Sequence, residues 1–450
     1  MTHKTNFKYL VPFVLVLLFI LFSIGGVFDE EGSFTDGFPF SFLHVADTKR
    51  PFPQHVVYAQ GTIKPNVDQQ KLDEAAKAFY DDWKARYLKN DCGSNQYYTW
   101  FDSNQGKNNA ATDTISVSEG QGYGMIIVAY MAGYDRNAKK YFDGLYSFYK
   151  AHRSKTAGSV LMAWNQVVGC HDAPETGTSN GNDSATDADM DIAYALLLAD
   201  RQWGSGGAVN YLSEAQKIIK DIMHYDINPF TRAPKLGNWA FPEDHEYFAT
   251  RSSDLIMDHF RAFQNISGDK KWGAVIDKCY YLIERMQKKF SPRTGLLPDF
   301  IVNTNGLPGP AGPNLLESAY DGSYYLNACR TPWRIATDYL VSGDIRAKRA
   351  LDRINSWFRN TTKGNPELIK AGYHLSGENL PGNDYMSAEF VAPLAVSAMV
   401  DAGNQRWLDR LWSFILKKNI EEFQVGPKNY YENTLKLLAL ITLSGNWWAP

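Results

Sequence analysis

Residues 254–290 read DLIMDHFRAFQNISGDKKWGAVIDKCYYLIERMQKKF. Two amphipathic stretches, 254–267 and 271–290, flank Ser267-Gly268-Asp269. Apolar residues recur at helical spacing on both sides. A glycine here ends one helix in the left-handed conformation, and an Asp caps the next. The same device returns as Ala132-Gly133-Tyr134-Asp135, Ser342-Gly343-Asp344 and Ala402-Gly403-Asn404, and more loosely over 204–207. These turns repeat with a rough period of 60–75 residues, the mark of a repeated antiparallel helix pair. Twelve helices are predicted in all: 71–89, 118–132, 137–152, 187–203, 211–224, 254–267, 271–290, 327–341, 345–361, 385–402, 404–420 and 429–443. Five pairs follow from the glycine turns. Pairing the first helix with the last closes an all-α ring of six hairpins. Five long connectors, 90–117, 153–186, 225–253, 291–326 and 362–384, then fall at one end of that ring. Loops of this length in a compact domain carry function. The site is expected there, beside the N-termini of helices two, four, six, eight and ten.

Composition narrows the function. Lys and Arg number 46 against 49 Asp and Glu, a net charge of −3, which gives no electrostatic case for a nucleic-acid partner. The hydrophobic content of 44% is that of a folded chain. Cys92, Cys170, Cys279 and Cys329 form no CxxC pair, so a zinc ribbon is not expected and the pairing stays open. Twelve Trp and 26 Tyr supply flat faces with polar tips, suited to a groove for something flat and hydroxylated.

Lys4 and Lys8 precede an uncharged apolar run from Leu10 to Phe28, with Ser23 and Gly25 as small residues where cleavage would fall. Residues 1–28 therefore read as a signal peptide or membrane anchor, and either one exports the rest of the chain. Removing residues 1–25 takes two lysines from the net charge of −3 and leaves −5. Residues 29–64 are a leader and linker, and 65–450 a single catalytic domain, expected to be monomeric.

Several motifs fail on inspection. Gly177-Thr178-Ser179-Asn180-Gly181 has the spacing of a hydrolase nucleophile elbow but polar flanks and no strand before it. Asp187-Ala188-Asp189-Met190-Asp191 opens like a calcium loop, but Ile192 and Leu198 stand where Gly and Glu are needed. Gly120-Gln121-Gly122-Tyr123-Gly124 lacks the last spacing of a dinucleotide fingerprint, and the nine His form no HExxH. No catalytic metal and no cofactor are expected.

Two helix starts hold carboxylates with chemical promise. Ser116-Val117-Ser118-Glu119-Gly120-Gln121-Gly122-Tyr123-Gly124-Met125 reads either as a capping box with Ser116 as cap, or as a general acid on a cleft wall. Three glycines in the first turns cost ~1 kcal/mol each relative to Ala, which capping does not explain; a bulky ligand close to the backbone would. Ser184-Ala185-Thr186-Asp187-Ala188-Asp189-Met190-Asp191 places Asp187 and Asp191 one turn apart, either as dipole-stabilised acids or as site residues.

These two segments resemble the signatures of glycoside hydrolase family 8. The similarity continues through Arg251-Ser252-Ser253-Asp254, His259-Phe260-Arg261-Ala262-Phe263 and Asn327-Ala328-Cys329-Arg330-Thr331-Pro332-Trp333-Arg334, and covers roughly 60–450. It is closest to the Bacillus-type chitosanases of that family. The resemblance implies an (α/α)6 barrel, in agreement with the ring of hairpins, and an inverting endo-hydrolase of β-1,4-linked glucan, xylan or chitosan. It places the proton donor on Glu119 and the acid that contacts the sugar at the cleavage point on Asp187. Most of the family carries its general base where this chain has Asn327. In the branch that also has Asn there, a Glu from the preceding loop serves instead, which here falls on Glu317, with Asp321 in reserve.

An inverting hydrolase needs a protonated carboxyl and a carboxylate ~6.5–9.5 Å apart, with water between. Glu119 would protonate the leaving oxygen and Glu317 activate the water. Asp187 would hold the distorted sugar and raise the pKa of Glu119. Asn327 would orient the water or a sugar hydroxyl, and Arg330 fix a carboxylate by a paired contact. Tyr123, Trp164, Trp239, Tyr324 and Trp333 are candidate aromatic walls, with Asp183 beside them. Asp172, Glu175, Asp183, Glu243, Asp244 and Glu246 crowd the loops of the active end, which suits a cationic polymer. The substrate expected is chitosan. β-1,4- or mixed-linkage β-glucan is the alternative, and a non-catalytic polysaccharide binder on the same scaffold is the rival from another class.

Overall fold

A computed structural model describes residues 48–101, 112–156, 158–176, 179–417 and 429–450. The apolar run expected to export the chain lies outside them, as does residues 29–47 of the leader. Among the described residues no helix is long and apolar enough to cross a membrane.

Twelve α-helices form: α1 Gln69–Tyr87, α2 Ser118–Tyr130, α3 Ala138–Ala151, α4 Thr186–Trp203, α5 Tyr211–Asp221, α6 Met257–Ser267, α7 Lys271–Lys289, α8 Thr331–Ser342, α9 Ile345–Thr361, α10 Ala388–Ala398, α11 Gln405–Leu416 and α12 Asn429–Leu443. All twelve predicted stretches are helical. The even-numbered helices touch in the cyclic order α2, α4, α6, α8, α10, α12 and back to α2, an inner ring. Each odd-numbered helix packs outside its partner, with α1 against α12 as closure required. This is the (α/α)6 barrel.

Burial explains which helix goes where. α4 and α10 are buried along almost their whole length, so they need a protein neighbour on every side. α9 and α11 bury one stripe and solvate the other, which suits the outer layer. The turns follow the predicted chemistry at Gly268 (φ 68°) and Gly343 (φ 73°), each left-handed at a helix end. Asp344 then caps α9 by accepting the Arg346 N–H. Ala402-Gly403-Asn404 differs: it is a short 3-10 turn, with the Gly403 N–H held by Asp401 instead.

Residues 48–64 are not a linker. The segment runs across the end of the ring opposite the long loops, and its backbone N–H groups bond ring helices or the segments that follow them. Lys49 reaches the Gln202 carbonyl, Phe52 that of Ala132, Val56 that of Gly445, Ala59 that of Leu340 and Ile63 that of Met399. Its prolines and glycine, with no sustained period, hid this role, because the strap is tied by backbone bonds, which leave no side-chain pattern. Trp447 and Trp448 plug the same end from within, packed against Tyr130, Trp447 tilted and Trp448 edge to face. At the loop end, Thr114–Val117, Asn165–Val167 and His171–Asp172 form a small sheet. A disulfide, Cys92–Cys170, ties that sheet to the loop after α1, and Cys279 and Cys329 stay buried as thiols.

Candidate active site

The strand Thr114–Val117 delivers Glu119 to the first turn of α2, where the Ser118 N–H bonds the Trp164 carbonyl. The capping-box reading fails: the Ser116 hydroxyl donates to the Thr99 carbonyl, and Glu119 turns inward. Its Oε2 accepts from Arg330 Nη1 at 2.7 Å and its Oε1 from the Tyr430 hydroxyl at 3.2 Å. Asp187, in the first turn of α4, accepts at 2.7 Å from the same Arg330 nitrogen. Arg330 thus bridges two carboxylates through one nitrogen, rather than gripping one in a fork. Its other terminal nitrogen bonds the Ser253 hydroxyl and the Asn327 Oδ1, both at 2.8 Å.

Asn327 carries the chain of contacts onward. Its Nδ2 donates to Glu317 Oε2 at 2.7 Å, and Arg251 Nη2 holds Glu317 Oε1 at 2.8 Å. Glu119 and Glu317 therefore stand at opposite ends of a run Glu119–Arg330–Asn327–Glu317. Asp321 is not a competing base. It is fully buried, and its oxygens accept the N–H groups of Leu316, Glu317 and Ser318.

Two carboxyls at equivalent helix positions are tuned in opposite directions. Burial pushes Glu119 up to about 6, with Asp187 adding to the rise and Arg330 opposing it. Burial also acts on Asp187, but Arg330, Arg251 and Arg334 outweigh it and hold that carboxyl below its ordinary value. Glu317 is likewise held low, against burial, by Arg251 and Asn327. One carboxyl is thus adapted to keep a proton, and two to stay charged.

Some expected site residues lie elsewhere. Tyr324 is fully buried among Phe358, Tyr373 and Phe390, a core residue rather than a sugar platform. Tyr123 and Trp333 are buried too, packed edge to face. Tyr123 lies under the site, its hydroxyl 3.2 Å from Arg330. Asn327 and Arg330 are 6% and 2% exposed, so they serve the carboxylates from below. Trp164, Asp183 and Trp239 keep partial exposure beside the starts of α2 and α4. Trp164 N–H bonds the Asp183 carbonyl, which joins two of them directly. The loop acids are partly spoken for: Asp172 pairs with His152 at 2.8 Å, and Asp244 closes its own turn onto the Phe241 N–H.

The glycines of α2 answer to packing. A Cβ on Gly122 would stand 2.7 Å from Asp191 Cβ on α4, and one on Gly120 2.7 Å from the Tyr430 hydroxyl. They admit neighbouring helices, not a ligand.

Arg251, Ser253 and Tyr430 carry site contacts that the sequence reading did not assign. The first two lie in a segment already singled out. Tyr430 was findable from the ring alone, because α12 is the sixth inner helix and its N-terminus faces the same end as the other five. Beneath the site, Arg334 forks onto Asp191, which also meets His259 at 2.9 Å. This buried layer ties α4, α6 and α8 together. Among the described residues, no group of three or more His, Cys, Asp or Glu side chains is arranged to hold a metal ion.

Comparison with known proteins fits this geometry. Residues 51–445 match the family described as glycosyl hydrolases family 8. A β-glucanase of Niallia circulans is 46% identical over 91% of this chain and 94% of its own length. An endoglucanase of a Bacillus species is 41% identical over 90% of this chain and 83% of its own. The structure of a β-1,3-1,4-glucanase from a Paenibacillus species superposes with a TM-score of 0.81 at 45% identity, covering 90% of this chain and all of that one.

Proposed function

The chain belongs to glycosyl hydrolases family 8, and from that premise we propose that it is an inverting endo-β-glucanase whose substrate is β-1,4- or mixed-linkage β-glucan. Glu119 is the general acid, Glu317 the general base, and Asp187 the carboxylate that holds the sugar at the cleavage point. The observation that carries this reading is the run Glu119–Arg330–Asn327–Glu317. It separates two carboxyls tuned oppositely, one toward the acid and one toward the ionised form. Hydrolysis with inversion needs such a pair, separated by room for a water and a sugar ring. Glu119 gives its proton to the glycosidic oxygen as the bond breaks. Glu317 takes a proton from the water that attacks the opposite face. Trp164 and Trp239 offer ring faces to neighbouring sugars, and Asp183 stands beside them.

The expectation of chitosan yields to β-glucan for two reasons. Two relatives above 40% identity carry glucanase names. The acidic loops also lose part of their force, since Asp172 and Asp244 already have partners. A non-catalytic binder would have no use for a carboxyl tuned to about 6 opposite a second held ionised. The Cys92–Cys170 disulfide supports an oxidising, extracellular setting for a single catalytic domain that begins at the strap rather than at residue 65.

Reducing-end release on mixed-linkage β-glucan, carboxymethylcellulose and deacetylated chitosan tests the reading, with Glu119→Gln as the blank. Release from the glucans that the blank lacks, with the opposite anomer formed first, is the expected result. Release from chitosan alone restores the other substrate. Binding without release from any polymer overturns the enzyme.

A further inference from the structure

A base carried on a loop poses a positioning problem. Glu119 and Asp187 stand in the first turns of buried helices, which fix their backbones. Glu317 lies in the connector before α8, outside any helix or strand. A misplacement of about 1 Å at a reacting group costs about 10²-fold in rate, so something must fix this stretch of chain.

We propose that Asp321 is the positioning residue that aims Glu317, acting by gathering the loop's backbone N–H groups around its carboxylate. The proposal rests on Glu317 being the base. Asp321 is fully buried. Its Oδ2 accepts the N–H of Leu316 at 2.8 Å and of Glu317 itself at 3.1 Å. Its Oδ1 accepts the N–H of Ser318 at 2.8 Å and the Ser318 hydroxyl at 3.2 Å. Three consecutive N–H groups centred on the base thus converge on one side chain. The backbone of Asp321 is itself anchored. Its carbonyl accepts the Phe300 N–H at 2.9 Å from the strand Phe300–Val302. The next residue, Gly322, is pressed so close that a Cβ there would meet the Ala311 carbonyl oxygen at 2.2 Å. The Asn314 N–H bonds the Ser318 carbonyl at 2.8 Å and closes the turn on its far side.

The division of labour is then clear. Asp321 sets the backbone of residue 317, while Arg251 and Asn327 set its carboxylate. Two acceptor oxygens are required. An amide in place of the carboxylate turns one of them into a donor that faces N–H groups, and the turn around Glu317 must open. An Asp that only stabilised the fold would not single out the base.

The test is a double-mutant cycle on β-glucan hydrolysis, with kcat and KM measured separately. Asp321→Asn is expected to lower kcat about 10²-fold and to leave KM within about threefold. In the Glu317→Gln background it is expected to cost nothing more, because the group it aims is gone. Ser318→Ala removes the hydroxyl that donates to Asp321 and accepts the Tyr320 N–H, and keeps the three backbone N–H bonds; a fall of a few fold in kcat is expected, again absent beside Glu317→Gln. This variant carries the test if Asp321→Asn does not fold. Near-normal kcat in Asp321→Asn, or an equal further loss in both backgrounds, overturns the proposal while the base assignment stands. Near-normal turnover in Glu317→Gln itself overturns the base assignment and the proposal with it.

Discussion

Glu119 and Asp187 occupy the same place on two successive inner helices, and a helix N-terminus stabilises the charged form of either. Only the arginines around them break that symmetry. Arg330 touches both and Arg251 pulls on both, whereas Arg334 adds its pull on Asp187. The charge this keeps on Asp187 in turn raises Glu119. The activity kcat/KM should therefore fall as pH rises through about 6, where Glu119 loses its proton. Asp187→Asn removes the negative charge that favours the protonated form. The Glu119 pKa then drops, and the alkaline limb of the profile moves to lower pH. A pH–rate profile of that variant checks the sign; an unmoved limb would mean the two carboxyls do not sense each other. At this scale the sequence singled out Glu119, Asp187 and Glu317 through their flanking motifs and the family resemblance those carry, and the structure joins all three through Arg330 and Asn327. It did not reveal that Tyr123 and Tyr324 are buried, since an aromatic residue beside a motif reads the same whether it faces a groove or a core.

Between elements, the decisive contact is α2 against α4, the pair that carries Glu119 and Asp187. Gly122 lets α2 approach until Asp191 Cβ lies 2.7 Å and the Ala188 carbonyl oxygen 3.3 Å from where its own Cβ would be. Asp191 is also the residue that Arg334 and His259 hold, so this contact is backed by the buried polar layer. Gly122→Ala must push the helices apart, at a cost of about 1–3 kcal/mol for an overpacked core. Denaturant melts should show that loss. Turnover should fall by more than stability alone explains, because the separation of Glu119 and Asp187 changes with the helices. The sequence marked these glycines as costly and therefore purposeful, but assigned the space to a ligand. Cost is legible in a sequence; the identity of the neighbour is not.

Over the whole molecule, buried carboxyls set the response to pH. Asp226 is fully buried, and burial pushes it up to about 8 against the pull of Lys235. The unfolded chain ionises it near 3.9. Between those values the folded state holds the extra proton, so this group makes stability fall as pH rises from about 4 to about 8. Asp226→Asn should flatten that part of the curve of Tm against pH; an unchanged slope would refute the assignment. At the acid end the sign reverses. Glu214 is held near 2 by Lys150, Lys217 and Tyr146 despite its burial, and the stability it lends is lost as pH falls from about 4.5 toward 2. The strap has a separate signature. A chain that begins at residue 65 loses five backbone bonds across the end of the barrel and the buried Phe52. It should melt several degrees below one that begins at residue 48, and equal Tm values would reduce the strap to an ornament.

The sequence by itself determined the ring. Helix periodicity and glycine turns depend on residues near one another in the chain, and closure of the ring follows from their number and order. It also pointed to the end where the candidate carboxylates gather, since the long loops share one side, and to the family whose chemistry to expect. Only the tertiary structure decided that 48–64 is a strap, that Arg330 joins two carboxylates, and that Asp321 gathers the N–H groups of Leu316, Glu317 and Ser318. Each of those outcomes rests on contacts between residues far apart in the chain, or on bonds made by the backbone, and neither leaves a local pattern in the order of the side chains.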